Sequence, residues 1–317
     1  NTTAGNNTAV GRVAGNKTTT GCQNVAIGTF AHCVNTTGDN NIAIGVCSLC
    51  NNTTADSNTA VGFQAMYINT TGGENVAVGS LALCANTTGD QNVAIGRNAL
   101  DSNTTGGKNV AIGFKALCSN TTTSEMVAIG SCSLRSNTTG SDNTAIGRCA
   151  LTSNTTGASN TAVGFNALET ATTSVNNTAI GKDSMGGTTT GGYNTSVGSL
   201  ALANNSTGST NTAIGDRALQ KSTTAGNNTA VGSIALACNT TGAQNTSVGR
   251  CALFTNTTGA NNVAVGYSAL ILNNTGQNVA VGNYAFKSVT SAEGGVAVGY
   301  CAGAGVTSGA NNIAIGK

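Results

Sequence analysis

The sequence predicts an all-β protein, a parallel β-solenoid of about nineteen rungs with 17 residues in each rung. Three observations predict this fold. A Val-Gly or Ile-Gly pair recurs nineteen times, the residues before each pair alternate β-branched with small side chains, and no other pattern interrupts the series. Of the eighteen intervals between repeat glycines, seventeen are 17 residues long, and the interval from Gly266 to Gly282 is 16. A stack of similar rungs requires such regularity, and a globular enzyme does not.

Each rung is described by positions counted from its repeat glycine, which is position 0. Position −1 is Val or Ile, −2 is Ala or Ser, −3 is Thr, Val or Ile, and −4 is Asn in all rungs but two. This alternation predicts a short strand. Ala or Ser at +3 with Leu at +4 predicts a second short strand. The Asn-Thr-Thr-Gly segment from +7 to +10 predicts a turn, with positive φ expected at its glycines, such as Gly38, Gly72, Gly89 and Gly106.

Stacking these rungs predicts ladders of like side chains. We expect Val or Ile at −1 and Leu at +4 to fill the interior, and the asparagines at −4 to form a ladder of amides. The residue missing from the 16-residue interval is expected in the turn between Asn273 and Asn278, where a deletion is tolerated. Eighteen steps of strand spacing predict a rod on the order of 85 Å long.

Composition favours one continuous repeat array over residues 1–317. Charged residues make up 8% of the chain and the net charge is +2, which favours neither nucleic acid nor an anionic membrane as a partner. No apolar run approaches the roughly 18 residues of a membrane span, so membrane insertion is not expected. Because the sequence starts and stops inside a repeat, at Asn1 and Lys317, we expect a segment of a longer fibre, uncapped at both ends and able to stack head to tail.

The Asn-x-Ala-(Val/Ile)-Gly segment, followed by Ala-Leu, resembles the head repeats of trimeric autotransporter adhesins and the related tail-fibre repeats of phages and large viruses. Residues 92–96 and 109–113 carry the likeness, which extends over the whole chain. The resemblance implies a left-handed β-roll, association into a homotrimer, and a place on extracellular fibres or the virion surface. The chain departs from that family in its 17-residue unit, its eleven cysteines and its Asn-Thr-Thr turns.

Asn-x-Thr/Ser sequons recur at position +7, where a turn is expected to be exposed. Two interpretations stay open: a stripe of N-linked glycans along one edge, or asparagines that only form turns. The candidate glycosylation sites are Asn35, Asn52, Asn69, Asn86, Asn103, Asn120, Asn137, Asn154, Asn205, Asn239, Asn256 and Asn273.

Two pairs of the eleven cysteines are candidate disulfides, because each pair shares one position on adjacent rungs. Cys33 and Cys50 lie at +5, and Cys132 and Cys149 lie at +2. The rung spacing of about 4.8 Å is within the Cα separation that a disulfide accepts. The Cys47-x-x-Cys50 spacing lacks the second half of a zinc site, so no metal is expected there.

Aromatic residues recur at the variable position +1 and form a candidate interface stripe: Phe63, Phe114, Phe165, Tyr267 and Tyr300. Duplication of a three-rung unit also explains the 51-residue spacing of the three phenylalanines. Catalysis is not expected, because the single histidine, His32, replaces a core Leu at +4 and no catalytic set can be assembled. No cofactor and no metal are expected.

The sequence therefore predicts a structural component of an extracellular or virion-surface fibre, which associates with itself and is able to bind cell-surface glycans or a receptor. The alternative is an ice- or surface-binding solenoid that uses the threonines at +8 and +9. Those two threonines are adjacent in sequence, so they point to opposite faces and do not form one flat surface.

Overall fold

The computed structural model describes residues 4–317, and the predicted fold class is confirmed: this part of the chain is an all-β parallel solenoid without helices. It divides into two compact units, Asn1–Ser159 and Asn160–Lys317. Asn1, named above as the open N-terminal edge, lies outside the described residues. The head-to-tail stacking of copies stays a prediction.

Each rung contributes one strand of three residues. The first unit contains nine strands: β1 Thr8–Val10, β2 Val25–Ile27, β3 Ile42–Ile44, β4 Thr59–Val61, β5 Val76–Val78, β6 Val93–Ile95, β7 Val110–Ile112, β8 Val127–Ile129 and β9 Thr144–Ile146. The second unit contains ten: β10 Thr161–Val163, β11 Thr178–Ile180, β12 Thr195–Val197, β13 Thr212–Ile214, β14 Thr229–Val231, β15 Thr246–Val248, β16 Val263–Val265, β17 Val279–Val281, β18 Val296–Val298 and β19 Ile313–Ile315.

Within each unit, neighbouring strands are parallel and pair like with like. Strand β5 pairs with β6 so that Ala77 lies beside Ala94, and β16 pairs with β17 so that Ala264 lies beside Ala280. The register survives the 16-residue interval because the turn absorbs the missing residue. In that turn the Asn273 amide donates to the carbonyl of Thr275, two residues on, instead of the carbonyl three residues on that Asn86 uses. The predicted site of the deletion is confirmed.

The second strand predicted at +3 and +4 is wrong. After each repeat glycine the described chain turns instead of extending, because residues at +2 and +4 adopt left-handed backbone conformations. In the rung that follows Gly96, Asn98 has φ 57° and Leu100 has φ 53°. Such conformations are uncommon for residues with a side chain. They curl the backbone so that Ala99 and Leu100 both become buried.

The interior also differs from the prediction. A three-residue strand sends only its central side chain inward, and that residue is Ala: Ala94 is 0% exposed, whereas Ile95 at position −1 is 38% exposed. The predicted interior ladder of Val and Ile is therefore wrong, and the interior ladder of Leu is confirmed by Leu83, Leu100 and Leu117. Each buried Leu contributes about 1.5–3 kcal/mol to stability.

The repeat glycines at position 0 allow the rungs to approach each other, and the glycines at +10 are not required in every rung. The repeat glycines have φ near +130°, and a Cβ at Gly62 would lie 2.6 Å from the carbonyl oxygen of Gly79. The glycines at +10, for which positive φ was predicted, do not adopt it: Gly38, Gly72, Gly89 and Gly106 have negative or extended φ, and Ala55 and Thr123 occupy the same position in other rungs. A Cβ at Gly72 would lie 2.5 Å from the carbonyl oxygen of Gly89 and 2.7 Å from Oδ1 of Asn69.

The predicted amide ladder at position −4 is confirmed. Asn92 is buried, its backbone N–H donates to Oδ1 of Asn75 at 2.8 Å, and its Nδ2 donates to the same oxygen at 3.1 Å. Nδ2 also donates to the carbonyl of Gly106 at 2.9 Å. Asn92 Oδ1 in turn accepts from the backbone N–H of Asn109 at 3.0 Å. Each asparagine thus joins three rungs while it satisfies buried polar groups that would otherwise be costly.

The glycine geometry gives a test within one rung. We expect Gly181→Ala to destabilise the second unit by about 3 kcal/mol or more, because Gly181 has φ +132° and an added Cβ would lie 2.5 Å from the carbonyl oxygen of Gly198. The matched control is Gly186→Ala, whose Cβ would have ordinary contacts of 3.5 Å, and it should change stability by less than about 1 kcal/mol. Denaturant unfolding checks both, and equal losses would contradict the interpretation.

Candidate functional site

The outer face of the β-sheet is an exposed stripe of β-branched side chains. In the first unit Ile27, Ile44, Val78, Ile95 and Ile146 at position −1 are each 36–38% exposed. In the second unit the same position exposes Ile180, Ile214, Val281 and Val298. Two residues earlier on each strand, Thr, Val or Ile also faces outward. We call this surface the sheet face. Contiguous exposed apolar surface of this kind is typical of an interaction site.

One flank of the sheet face in the first unit is acidic. Six carboxylates lie at positions +11 and +12, just before consecutive strands, and a single base, Lys108, lies among them: Asp39, Asp56, Glu74, Asp90, Glu125 and Asp142. The middle part of this row lines an open groove of about 770 Å³. Lys108 pairs with Glu125 at 3.6 Å, but both side chains are 63% exposed, so the pair contributes little to stability.

The aspartates at +11 also have a structural role that the sequence did not reveal. Asp90 Oδ1 accepts a hydrogen bond from the backbone N–H of Gly73 on the preceding rung at 2.7 Å, and Asp56 does the same for Asp39. Ser124 replaces the carboxylate with its hydroxyl, which accepts from the N–H of Gly107 at 3.0 Å. Capping of a backbone N–H therefore explains Asp and Ser at +11, whereas Glu74, Glu125 and Asp142 at +12 accept no such bond.

The opposite flank of the sheet face in the first unit is basic. Arg12, Arg97, Lys115 and Arg148 follow the strands at positions +1 and +2, and all four are exposed. Lys115 lies over the ring of Phe114 at 5.5 Å, and Arg12 lies over Phe30 at 5.6 Å. In the described part of the first unit, the two long flanks of one exposed surface therefore carry opposite charge.

The candidate interface stripe is at the surface. Its five members are 36–54% exposed: Phe63, Phe114, Phe165, Tyr267 and Tyr300. The second unit adds Tyr284, which lies at +2 and so falls outside the stripe predicted at +1. Tyr284 contacts Tyr267 and Tyr300 edge to face, with ring centroids 5.2 Å and 6.4 Å apart. Arg250 lies over Tyr267 at 5.8 Å. In the first unit, Phe63 and Phe114 thus lie on the same flank as the bases.

The asparagines of the sequons do not have the exposure that the glycan hypothesis required. All twelve are 0% exposed: Asn35, Asn52, Asn69, Asn86, Asn103, Asn120, Asn137, Asn154, Asn205, Asn239, Asn256 and Asn273. Asn86 shows why. Its Nδ2, the atom that would carry a glycan, donates to Oδ1 of Asn69 and to the carbonyl of Gly89, both at 2.9 Å. The expectation of an exposed turn at +7 is wrong, and a buried Nδ2 leaves no room for a sugar.

These asparagines form a second amide ladder, and its interruptions are visible. Asn103 donates to Asn86 as Asn86 donates to Asn69, so the ladder runs through consecutive rungs of the first unit. In the second unit Ser222 replaces the asparagine that follows Asn205, and both Ser222 Oγ and Asn205 Oδ1 are buried without a partner. The asparagines of the turn sequence therefore form hydrogen bonds in the interior of the solenoid.

The two candidate disulfide pairs differ in geometry. Cys33 and Cys50 are buried, and their Sγ atoms lie 2.9 Å apart. Cys132 and Cys149 are partly exposed, and Cys132 Sγ lies 3.8 Å from the hydroxyl of Ser131. All eleven cysteines are free thiols in the structure.

His32 is a core residue, as predicted. It is 0% exposed, and its Nε2 lies 3.2 Å from the Asn52 amide nitrogen. Because that nitrogen donates, Nε2 accepts and the proton lies on Nδ1, which has no partner. A cavity of about 90 Å³ beside it is lined by Gly15, Thr18 and Asn24. Gly15 occupies the position that Leu fills in other rungs. Burial lowers the pKa of His32 to about 4.

The described residues contain no group of three or more His, Cys, Asp or Glu side chains placed to hold a metal ion. None of their segments forms a helix long and apolar enough to cross a membrane. In comparisons with known proteins, no family model matches the chain and no curated protein matches it.

The asparagine ladder gives a test that separates folding from glycosylation. Asn86→Ala and Thr88→Ala both remove the same sequon, but only Asn86→Ala removes buried hydrogen bonds. We expect Asn86→Ala to destabilise the first unit by about 3 kcal/mol and Thr88→Ala, at an exposed position, by less than about 0.5 kcal/mol. Thermal and denaturant unfolding measure the losses. Equal effects, or a glycan mass at Asn86 after expression in a glycosylating host, would refute the ladder interpretation.

His32 predicts acid sensitivity of the first unit. Its pKa in the folded chain, about 4, lies below its ordinary value of 6.5, so folding favours the neutral ring. The resulting stability is complete above about pH 6.5 and is lost as the pH falls through about 4. We expect a loss of about 2–3 kcal/mol over this range, and His32→Leu should abolish it. Unfolding curves from pH 7.5 to 3.5 for both chains provide the measurement; parallel pH profiles would disprove the assignment.

Proposed function

We propose that the chain is a non-catalytic structural element of an extracellular or virion-surface fibre, and that copies of it pack side by side through the sheet face. The observation that carries the proposal is the placement of the strand residues. The interior receives Ala, while the larger Val and Ile of position −1 lie outside, where Ile95 is 38% exposed. Covering this stripe removes apolar surface from water along the full length of a unit, at about 25 cal/mol for each Å².

The flanking charges support a particular orientation. In the first unit the acidic flank contains six carboxylates and one lysine, and the basic flank contains Arg12, Arg97, Lys115 and Arg148. When two copies pack with their sheet faces in contact and their chains run in the same direction, the acidic flank of one copy lies beside the basic flank of the other. Complementary charges of this kind select register and partner more than they add affinity.

The stability of the scaffold supports a mechanical role. Most rungs contribute a buried Leu, two buried amides and backbone bonds to their neighbours, so the energy accumulates along the solenoid. The proposal also includes the left-handed solenoid and the homotrimer that the family resemblance implies. It further includes binding of glycans or a receptor by the exposed aromatic residues.

The ice-binding alternative has less support. It would use the hydroxyls of the threonines at +8 and +9. Those at +8 are occupied within the fold, as Thr70 Oγ1 and Thr87 Oγ1 each donate to the carbonyl of a threonine on the next rung at 2.9 Å. A hydroxyl that is bonded to the backbone is less available to order water.

The proposal predicts that polar substitutions on the sheet face abolish assembly. We expect the double variant Val78→Thr and Ile95→Thr, which keeps β-branched side chains, to sediment as a single chain of 30.9 kDa, while the wild type assembles. Sedimentation velocity and negative-stain electron microscopy provide the measurement.

The matched control is Ile68→Thr with Leu272→Thr. Both side chains are comparably exposed, at 40% and 46%, but lie outside the sheet face. This variant should assemble as the wild type does. A wild type that stays monomeric at all concentrations, or a sheet-face variant that assembles normally, would overturn the proposed packing.

A further inference from the structure

Cys33 and Cys50 are the two thiols that the fold holds together. They occupy position +5 on consecutive rungs, each is 8% exposed, and their Sγ atoms are 2.9 Å apart. Backbone hydrogen bonds fix the two rungs on both sides of the pair. The N–H of His32 donates to the carbonyl of Ser48 at 2.9 Å, and the N–H of Val34 donates to the carbonyl of Cys50 at 3.2 Å.

The remaining cysteines lack such a neighbour. Cys84 and Cys118 also lie at +5, but the rung between them carries Asp101 at that position. Cys132 and Cys149 share +2 on adjacent rungs, yet Cys132 Sγ is directed to Ser131. Sequence spacing thus indicated two equivalent pairs, and the geometry separates them.

We propose that Cys33 and Cys50 are a cross-linking site, at which a low-molecular-weight disulfide oxidises the two thiols to a rung-to-rung disulfide. One protein thiolate attacks the sulfur–sulfur bond of the oxidant, forms a mixed disulfide and releases one small thiolate. The second protein thiolate then attacks the protein sulfur of the mixed disulfide and releases the other small thiolate. The two cysteine protons pass to the two released thiolates, so two cysteines are oxidised and one disulfide is reduced to two thiols.

The cross-link lies next to an interruption of the leucine ladder. One of the two rungs that it joins holds His32, which replaces a core Leu and lies next to the cavity of about 90 Å³ that Gly15 leaves. The leucine ladder is interrupted at both residues, so these rungs lack part of the packing that stabilises their neighbours. The other cross-linked rung holds the buried Leu49, so the covalent bond ties the interrupted part of the leucine ladder to its intact part.

The folded chain reacts slowly at this site. Burial, with the neighbouring Cys33 thiol, raises the pKa of Cys50 to about 12, so little thiolate is present at neutral pH. The cross-link therefore forms slowly in the folded chain, and faster when the rungs open.

The test uses the full chain, incubated with and without glutathione disulfide, alkylated, and cleaved before aspartate. Cleavage before Asp39 and Asp56 places Cys22 and Cys33 in one fragment, and Cys47 and Cys50 in the next. We expect the oxidised chain to lose two of its eleven free thiols and to yield these two fragments joined. Hydrogen exchange of amides in residues 29–58 should slow about tenfold or more.

Matched variants identify the sulfurs. Cys22→Ala with Cys47→Ala alters the same two fragments and should leave the joined product intact, whereas Cys33→Ala or Cys50→Ala should abolish it. Fragmentation of the joined wild-type product assigns the bonded sulfurs directly, even where a buried substitution prevents folding. Unjoined fragments in the oxidised wild type, or joined fragments in Cys33→Ala, would overturn the proposal. Neither outcome depends on whether the chain assembles.

Discussion

The close approach of successive backbones at the repeat glycine constrains the rest of the structure. A Cβ at Gly62 would lie 2.6 Å from the carbonyl oxygen of Gly79, and the backbone there has φ near +137°. No side chain fits both the space and the conformation. Each rung must therefore return to the same point after the same path, and a rung with one residue fewer must absorb the difference far from the glycine, as the turn after Asn273 does.

This constraint leaves a narrow interior, and the narrow interior decides which side chains face inward. With three-residue strands, the central residue faces the ladder of Leu at +4, and Ala fits where a larger side chain would overpack. Val and Ile follow on the outside. The sheet consequently exposes its largest strand residues to solvent, so the apolar stripe on which the proposed packing rests is a consequence of the same geometry that forms the core.

The sequence contained the period, the strand and the amide ladder at −4, because each depends on residues that recur at one position with one physical purpose. It did not contain the direction of side chains on a strand too short to show alternation, and so it placed Val and Ile inside. It also misassigned the asparagines at +7. Asn-Thr-Thr-Gly is typical of exposed turns, and only the structure reveals that the Asn86 amide lies across the interior, 2.9 Å from its partners in the turn and in the neighbouring rung. The two cysteine pairs have equivalent spacing in the sequence but different geometry in the structure. The position number gives a residue's place within its rung, whereas the backbone conformation determines where its side chain points.

Because each rung contacts mainly its neighbours, a defect in one rung stays local. His32 and Gly15 interrupt the leucine ladder of the first unit, and His32 leaves a buried Nδ1 without a partner. In a globular core such a residue would weaken the whole domain, but in a solenoid it weakens the rungs on either side. The fold can therefore accept unfavourable residues in a few rungs, provided that those rungs are joined by other means. Backbone bonds, two amide ladders and the close pair Cys33 and Cys50 meet at this point of the first unit.

The same locality explains why the exposed positions vary so freely from rung to rung: a change at +1 or +12 alters the charge or the aromatic character of one flank without disturbing the repeat that holds the rungs together.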